Sequence, residues 1–230
     1  MERGRRQGRG RRIVNTMHPS RRRAVIGAEK ARVWTAAAGL LLVLFLVVHL
    51  GGIALAAVAP VRFEAYAVRL HQAAWLPAVE LALLGLAMAH LALGLAKRLA
   101  NRRAGNTAAL VSRRGEPLAA LAARSQAAGG ALLLLFLGVH LAQLRWPRPQ
   151  AGEELATLRA VLAQPASLAL YGAAALAVGL HLWHGTEAAH RSLGLLDPAN
   201  GALIRAAGRS LALVLGVGFA AVALVLGVAP

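Results

Sequence analysis

Four histidines recur at a fixed spacing within long apolar segments. Residues 42–50 read LVLFLVVHL and residues 133–141 read LLLFLGVHL, so seven of nine residues are identical at an offset of 91. These copies carry His49 and His140, and a second pair, His90 and His181, keeps the same offset of 91. A histidine inside a membrane helix is costly without a partner, and neutral imidazole is a common metal ligand. The pattern predicts a duplicated two-helix unit whose four imidazoles bind a shared ligand.

The stretches around these histidines are long and apolar enough to cross a membrane. Of the 230 residues, 58% are hydrophobic and 15% are charged, and the apolar residues form long runs. A membrane helix needs about 20 apolar residues to span a core of about 30 Å. The runs therefore predict an all-α integral membrane protein, with a four-helix core that contains the internal repeat and a fifth helix beside it. The predicted transmembrane helices cover residues 33–59, 76–98, 122–145, 165–188 and 208–229.

Positive charge is distributed unevenly between the two ends of these helices. The net charge is +17, and 21 of the 26 Lys and Arg residues fall in the N-terminal segment and in alternate connections. An excess of Lys and Arg marks the cytoplasmic side, so we expect a cytoplasmic N-terminus and an external C-terminus. We divide the chain into a basic, disordered cytoplasmic tail over residues 1–31 and a membrane domain over residues 32–230. The tail is expected to contact anionic lipid, and nucleic acid is not expected as a partner.

Several kinds of chemistry are excluded by what the sequence lacks. There is no cysteine, which rules out disulfides, cysteine-ligated iron–sulfur clusters and c-type haem attachment within this chain. The sequence has neither a GxSxG nor an HExxH motif, and it has no glycine-rich phosphate loop. The connections are too short to hold a soluble catalytic domain. The chain is therefore expected to act inside the membrane or with partner subunits, and not as a catalyst alone.

The depth of the histidines in the predicted helices sorts them into two levels. His49 and His140 lie late in helices that run outward, whereas His90 and His181 lie late in helices that run inward. At 1.5 Å per residue the two levels differ by roughly 10–15 Å. The repeat implies a pseudo-twofold axis along the membrane normal, so a planar cofactor on that axis would receive one histidine on each face. This geometry predicts two haem b groups, with His49 and His140 on the outer one and His90 and His181 on the inner one.

Glycines near three of the histidines would leave room for a porphyrin edge. Gly94 and Gly185 each lie four residues after an inner histidine, on the same helix face, and Gly52 lies three after an outer one. Other interpretations stay open at this point. A single membrane histidine often bonds to a neighbouring helix or to water, zinc or copper would gather ligands at one level, and His184 could replace His181. The offset of 91 favours His181.

The histidine segments in their order resemble the cytochrome b membrane anchor of succinate dehydrogenases and fumarate reductases, in its single-subunit, five-helix, di-haem form. The resemblance covers roughly residues 28–230. It is carried by VVHL, MAHLALG, GVHL and LHLWHGTEAAHRSLG around the four histidines, and by VRFEAYAVRL and RSQAAGG elsewhere. It implies that His49 and His140 ligate the distal haem. It also implies that His90 and His181 ligate the haem next to the iron–sulfur subunit.

The resemblance further implies partners and a location in a prokaryotic cytoplasmic membrane. A flavoprotein subunit would oxidise succinate, and an iron–sulfur subunit would pass electrons through the inner and outer haems to a quinone, usually menaquinone. The same parts can run in reverse as a fumarate reductase. We expect the basic segment 97–124 to dock the iron–sulfur subunit.

Further residues are candidates for quinone or propionate contacts. Glu64 lies close to the sequence position at which some members of that family have an acidic residue of the outer quinone site. Gly179 occupies the position at which some members have a glutamate. Polar residues near the inner rim complete the candidates: Arg124, Ser125, Gln126, His184 and Arg191. Two alternatives remain open. One is the di-haem cytochrome b subunit of a hydrogenase, nitrate reductase or formate dehydrogenase, and the other is a haem-free membrane scaffold or transporter.

Overall fold

Seven α-helices account for most of the chain that the structure describes. The computed structural model describes residues 19–103, 115–146 and 148–228. Within these ranges no residue belongs to a β-strand. The helices are α1 (Pro19–Val58), α2 (Pro60–Gln72), α3 (Leu76–Arg103), α4 (Pro117–Leu144), α5 (Glu154–Leu162), α6 (Pro165–Ser192) and α7 (Gly201–Val228).

Five of these helices are long and apolar enough to cross a membrane, namely α1, α3, α4, α6 and α7. Their number and order confirm the prediction of an all-α chain with five apolar spans. The largest difference is at α1, which begins at Pro19, whereas the predicted span begins at residue 33. The intervening residues include Arg, Ala, Glu and Lys, which are good helix formers, so the helix extends into the segment that we assigned to the tail. Residues 1–18 of that predicted tail lie outside the described residues.

Two short helices, α2 and α5, occupy connections that the sequence analysis left without structure. α2 joins α1 to α3, and α5 joins α4 to α6, so the order α1–α2–α3 is repeated as α4–α5–α6. The two short helices contact each other, and Glu64 Oε1 accepts a hydrogen bond from the Leu155 amide at 2.9 Å. These two residues are also 91 apart. The duplicated unit therefore has three helices, and α7 is added to the second copy.

Local sequence explains where the helices start and stop. Pro60, Pro117 and Pro165 occupy the first turn of α2, α4 and α6, where a missing N–H and a fixed φ cost nothing. After α6 the chain turns at Gly194, whose φ of +73° suits glycine and ends the helix. The Asp197 side chain then accepts hydrogen bonds from two amides that follow it, which leads the chain into α7.

The closest helix contact joins α6 to α7 through small residues. A Cβ added to Gly216 would lie 3.2 Å from Gly179 Cα and 3.3 Å from Ala175 O. Small residues allow membrane helices to pack closely, where dispersion contacts rather than the hydrophobic effect hold them together. A large side chain in place of Gly179 would therefore press against α7, since a Cβ there would already lie 3.5 Å from Ala212 O.

The helices that carry paired histidines are not close neighbours. In the part of the chain that the structure describes, α1 packs against α3, α6 and α7, and α4 packs against α6. The pairs α1 with α4 and α3 with α6 are not among the closely packed ones in these residues. The histidine-bearing helices therefore face each other across the interior of the bundle. Large apolar side chains such as Leu44, Leu135 and Leu176 are exposed on the outside, where lipid would cover them.

Candidate functional site

The outer histidines meet across the bundle interior. The ring centres of His49 on α1 and His140 on α4 are 6.0 Å apart, with ring planes at 82°. Each imidazole stacks on the phenylalanine one turn earlier in its own helix, Phe45 or Phe136, with ring centres 5.3 Å apart in both cases. The two phenylalanines are themselves 91 residues apart. The repeat therefore places an equivalent Phe–His unit on each side of the outer level.

The inner histidines form a second pair of similar dimensions. The ring centres of His90 on α3 and His181 on α6 are 6.2 Å apart, with ring planes at 66°. His90 packs against α1, where its Cε1 lies 3.0 Å from the position of a Cβ at Gly39. The carbonyl oxygen of Thr35 accepts a hydrogen bond from His90 Nδ1 at 3.1 Å. The corresponding helix contact in the second copy is made by Gln126, whose Nε2 donates to the His181 carbonyl oxygen at 3.3 Å.

The two pairs lie at clearly different heights in the bundle. Along α1, the outer His49 lies ten residues beyond Gly39, which marks the level of His90. Along α6, His181 lies ten residues beyond Tyr171, which contacts the outer His140. A rise of 1.5 Å per residue gives a separation of about 15 Å by either route. The interior therefore holds two stacked levels with one imidazole pair each.

The spacing of the imidazole rings in these pairs fits a metal that is bound from two opposite sides. Two imidazoles that face each other across one metal, with metal–nitrogen bonds of about 2.0 Å, have ring centres roughly 6 Å apart. Because a carbonyl oxygen only accepts, the bond to Thr35 places a proton on Nδ1 of His90 and leaves its Nε2 lone pair for a metal. Nδ1 of His181 is buried and has no hydrogen-bond partner among the described residues. No group of three or more His, Asp or Glu side chains in these residues could hold a metal ion.

The glycines beside the histidines differ in how much room they leave. Gly94 and Gly185 have open space where a Cβ would lie, with no atom of the described residues within 4 Å. The space beside Gly52 is filled by the ring of Tyr66, whose nearest atoms would be 3.0 Å from a Cβ there. Sequence reasoning treated the three glycines alike, because it had no means of placing Tyr66 against α1. Of the three glycines, Gly94 and Gly185 next to the inner pair therefore have open space, and Gly52 does not.

The polar candidates at the inner rim lie apart from one another. Gln126 and Ser125 both donate to the Ala122 carbonyl oxygen of their own helix, and Gln126 also reaches α6. Arg124 is exposed, and the exposed Arg191 forms an ion pair with Glu187 one turn earlier on α6. His184 lies one turn beyond His181, but the imidazole that meets His90 is that of His181. These residues are thus not gathered into one pocket.

Sequence reasoning missed a polar cluster between the two short helices at the outer end. Glu154 on α5 is 5% exposed, and it binds His71 Nδ1 through Oε1 at 3.2 Å and the Gly152 amide through Oε2 at 2.7 Å. Burial would raise the pKa of Glu154, but hydrogen bonds from its own amide, Gly152, Glu64 and His71 together hold that pKa below its ordinary value. The neighbouring Glu64 also has a buried carboxylate, whose Oε1 accepts the bond from the Leu155 amide. The only sequence signal was the offset of 91 between α2 and α5.

The same end contains an ion pair between the spans. Arg145, directly after α4, donates from Nε to Glu80 Oε1 on α3 at 2.6 Å and makes a second contact with Oε2. Arg148 lies 3.8 Å from the same carboxylate and donates to the His71 carbonyl oxygen at 3.0 Å. A charged residue near a helix end thus has a cationic partner, as is usual in membrane proteins.

The fold and the paired histidines define a class of protein, an all-α chain with five long apolar helices suited to a multi-pass membrane location. Comparison with known proteins adds no family to this description. No family model matches the sequence, and neither a curated protein nor a solved structure matches it. The function is therefore argued from the site itself and from the sequence motifs around it.

Proposed function

We propose that this chain is the di-haem cytochrome b subunit and membrane anchor of a succinate:quinone oxidoreductase. The observation that carries the proposal is the pair of imidazole couples, with ring centres 6.0 and 6.2 Å apart at two levels inside an apolar bundle. Four partly buried histidines on four different membrane helices need partners, and two couples at two depths match two bis-histidine haems. The specific complex is inferred from the resemblance of the histidine segments to the anchors of that family.

The residues of this chain would hold two haem b groups as axial ligands. His49 and His140 would bind the outer haem, and His90 and His181 the inner one, next to the open faces of Gly94 and Gly185. Haem iron supplies reversible one-electron transfer when it is bound. The protein would contribute neutral imidazoles, of which His90 and His140 are oriented by hydrogen bonds at Nδ1, an apolar surround, and a spacing of about 15 Å between the levels that divides the membrane crossing into short steps.

The two ends of the bundle would meet different partners. The basic connection 97–124 gives the inner end a positive surface, which we propose docks the iron–sulfur subunit, itself bound to the flavoprotein. At the outer end we propose that a quinone, menaquinone by the resemblance, exchanges electrons with the outer haem. Glu64 is the proposed proton-handling residue there, because its carboxylate is buried next to that of Glu154. The resemblance and the charge asymmetry favour a prokaryotic cytoplasmic membrane with the N-terminus inside.

The test is to purify the full chain in mild detergent with the subunits that accompany it. We expect two irons per chain, a b-type alpha band on reduction, bound flavin, and haem reduction by succinate. Molybdenum or nickel in place of flavin would overturn the succinate assignment in favour of the anchor of another respiratory complex. A preparation without an alpha band would overturn the di-haem proposal itself. Because edge-packed aromatic rings also lie about 4.5–7 Å apart, iron content is the decisive measurement.

A further inference from the structure

A chain of polar side chains leads from one outer histidine to the end of the bundle. His140 Nδ1 lies 3.2 Å from the Tyr171 hydroxyl on α6. That hydroxyl donates to Gln143 Oε1 at 3.3 Å, and Gln143 Nε2 donates to Ser167 Oγ at 2.9 Å. Ser167 is 6% exposed, so the far end of this hydrogen-bonded series is also buried. Three polar side chains at this depth in an apolar bundle are expensive unless each one is hydrogen-bonded.

The hydrogen bonds in this series are all donated in one direction, away from His140. Because the Tyr171 hydroxyl proton is directed to Gln143, its oxygen is left to accept a hydrogen bond from His140 Nδ1–H. The proton of His140 is then on Nδ1, and its Nε2 lone pair points away from Tyr171. The aromatic packing supports this placement, since Phe136 meets the Tyr171 ring edge to face with ring centres 4.9 Å apart.

The two halves of the repeat differ at this point. The position equivalent to Tyr171 in the first copy is Glu80, which lies 91 residues earlier and is engaged by Arg145. The inner His90 bonds to a backbone carbonyl oxygen instead of a side chain. A side-chain relay of this kind is therefore a feature of His140 that the duplication did not impose. Because only one copy of the repeat has this hydrogen-bonded series, we assign it a role at the outer histidines alone.

We propose that Tyr171, supported by Gln143 and Ser167, is a positioning residue that sets the redox potential of the outer haem through His140. The inference rests on the proposed function, because it needs a haem at the outer histidines. A ligand imidazole that donates its second N–H becomes a stronger electron donor, which stabilises the oxidised metal and lowers the potential. Gln143 and Ser167 strengthen the effect because they hold the hydroxyl in the accepting orientation.

The experiment measures the midpoint potentials of both haems in the purified complex by a redox titration of their alpha bands. The outer haem is identified beforehand as the one that is lost in His49→Ala. We expect Tyr171→Phe to raise the outer potential, to move the ferric low-spin EPR signal of that haem, and to leave the inner haem unchanged. Gln143→Leu should shift the outer potential in the same direction by less, and should add nothing when Tyr171→Phe is already present.

The matched control is Thr35→Val, which removes a hydroxyl that bonds to the Ala31 carbonyl oxygen at the level of His90 and keeps the Thr35 backbone, and which should leave the outer potential unchanged. An unchanged outer potential in Tyr171→Phe, or an equal shift of both haems, would overturn the relay. If Tyr171→Phe loses the outer haem, Gln143→Leu decides, because it keeps the Tyr171 ring. An additive effect of the two substitutions would also count against a shared chain. Failure of the proposed function looks different, since the unmodified complex would then have no alpha band to titrate.

Discussion

Substitution of two histidines at a time tests whether the outer pair and the inner pair each hold one haem. If each haem is held by one couple, a single substitution such as His49→Ala removes one ligand of one haem, and the iron content falls from two per chain to one. Adding His140→Ala removes nothing more, because both residues belong to the same couple. Adding His90→Ala instead empties both levels. A second substitution in the same histidine pair therefore causes no further loss of haem, whereas a substitution in the other pair removes the second haem.

The proposed pairing predicts an outcome for every pair of substitutions. Two double variants, His49→Ala with His140→Ala and His90→Ala with His181→Ala, each keep one haem. All four combinations across the levels keep none. The separation of about 15 Å between the levels is too large for a histidine of one level to replace a lost ligand of the other. The pattern of six double variants is thus a direct measurement of the pairing.

The assay is iron per chain by metal analysis, together with the reduced-minus-oxidised alpha band, on protein purified in detergent. Helical content by circular dichroism shows which variants keep the fold. Replacing His140 by Gly and adding free imidazole should restore the outer haem, which separates the loss of a ligand from general misfolding. A cross-level double variant that retains one haem, or a same-level double variant that retains none while staying folded, would refute the pairing.

Three further predictions concern the helix contacts. Gly216→Leu should weaken the α6–α7 contact by about 1–3 kcal/mol, seen as a lower unfolding temperature in detergent, whereas Gly85→Leu, with open space at its Cβ, should be neutral. Glu80→Gln should leave the partly buried Arg145 without its partner and cost about 2 kcal/mol in detergent unfolding; a double variant with Arg145→Gln that is no more stable would argue against the pair. Glu154→Gln should lower stability at neutral pH but not in acid. Because the pKa of Glu154 is depressed in the folded protein, its stabilising effect is present above the ordinary carboxyl pKa and is lost as the pH falls through the lower one. Unfolding curves of the two proteins that stay equally far apart down to acid pH would contradict this assignment.

The sequence predicted the spans and the level of each histidine because both depend on linear position. Charge-free runs give the helices, and a constant offset gives equivalent depths. The contacts of each side chain depend on how each helix is rotated about its axis and on the angle at which neighbouring helices cross. Neither quantity can be read from an apolar run in the sequence. The Tyr171–His140 bond, the filling of the space at Gly52 and the Glu80–Arg145 pair are of this second kind.

The short helices were missed for a related reason. α2 and α5 have 13 and 9 residues and a mixed composition, so they lack the long apolar run that revealed the spans. They are stabilised by tertiary contacts such as the bond between Glu64 and Leu155, since isolated helices of this length are marginal in water. Hydropathy could therefore not predict that Glu154 is buried between them.

The position of α3 bears on how the finished protein is assembled. Among the described helices, α3 packs closely with α1 and α2, whereas it faces α6 across the bundle with His90 and His181 at the meeting point. Of the five spans, it is therefore the one with the least extensive packing against the other described helices. If the proposed haems are bound, the inner one would join α3 to α6 through His90 and His181 and so add a tie that the helix contacts alone do not provide.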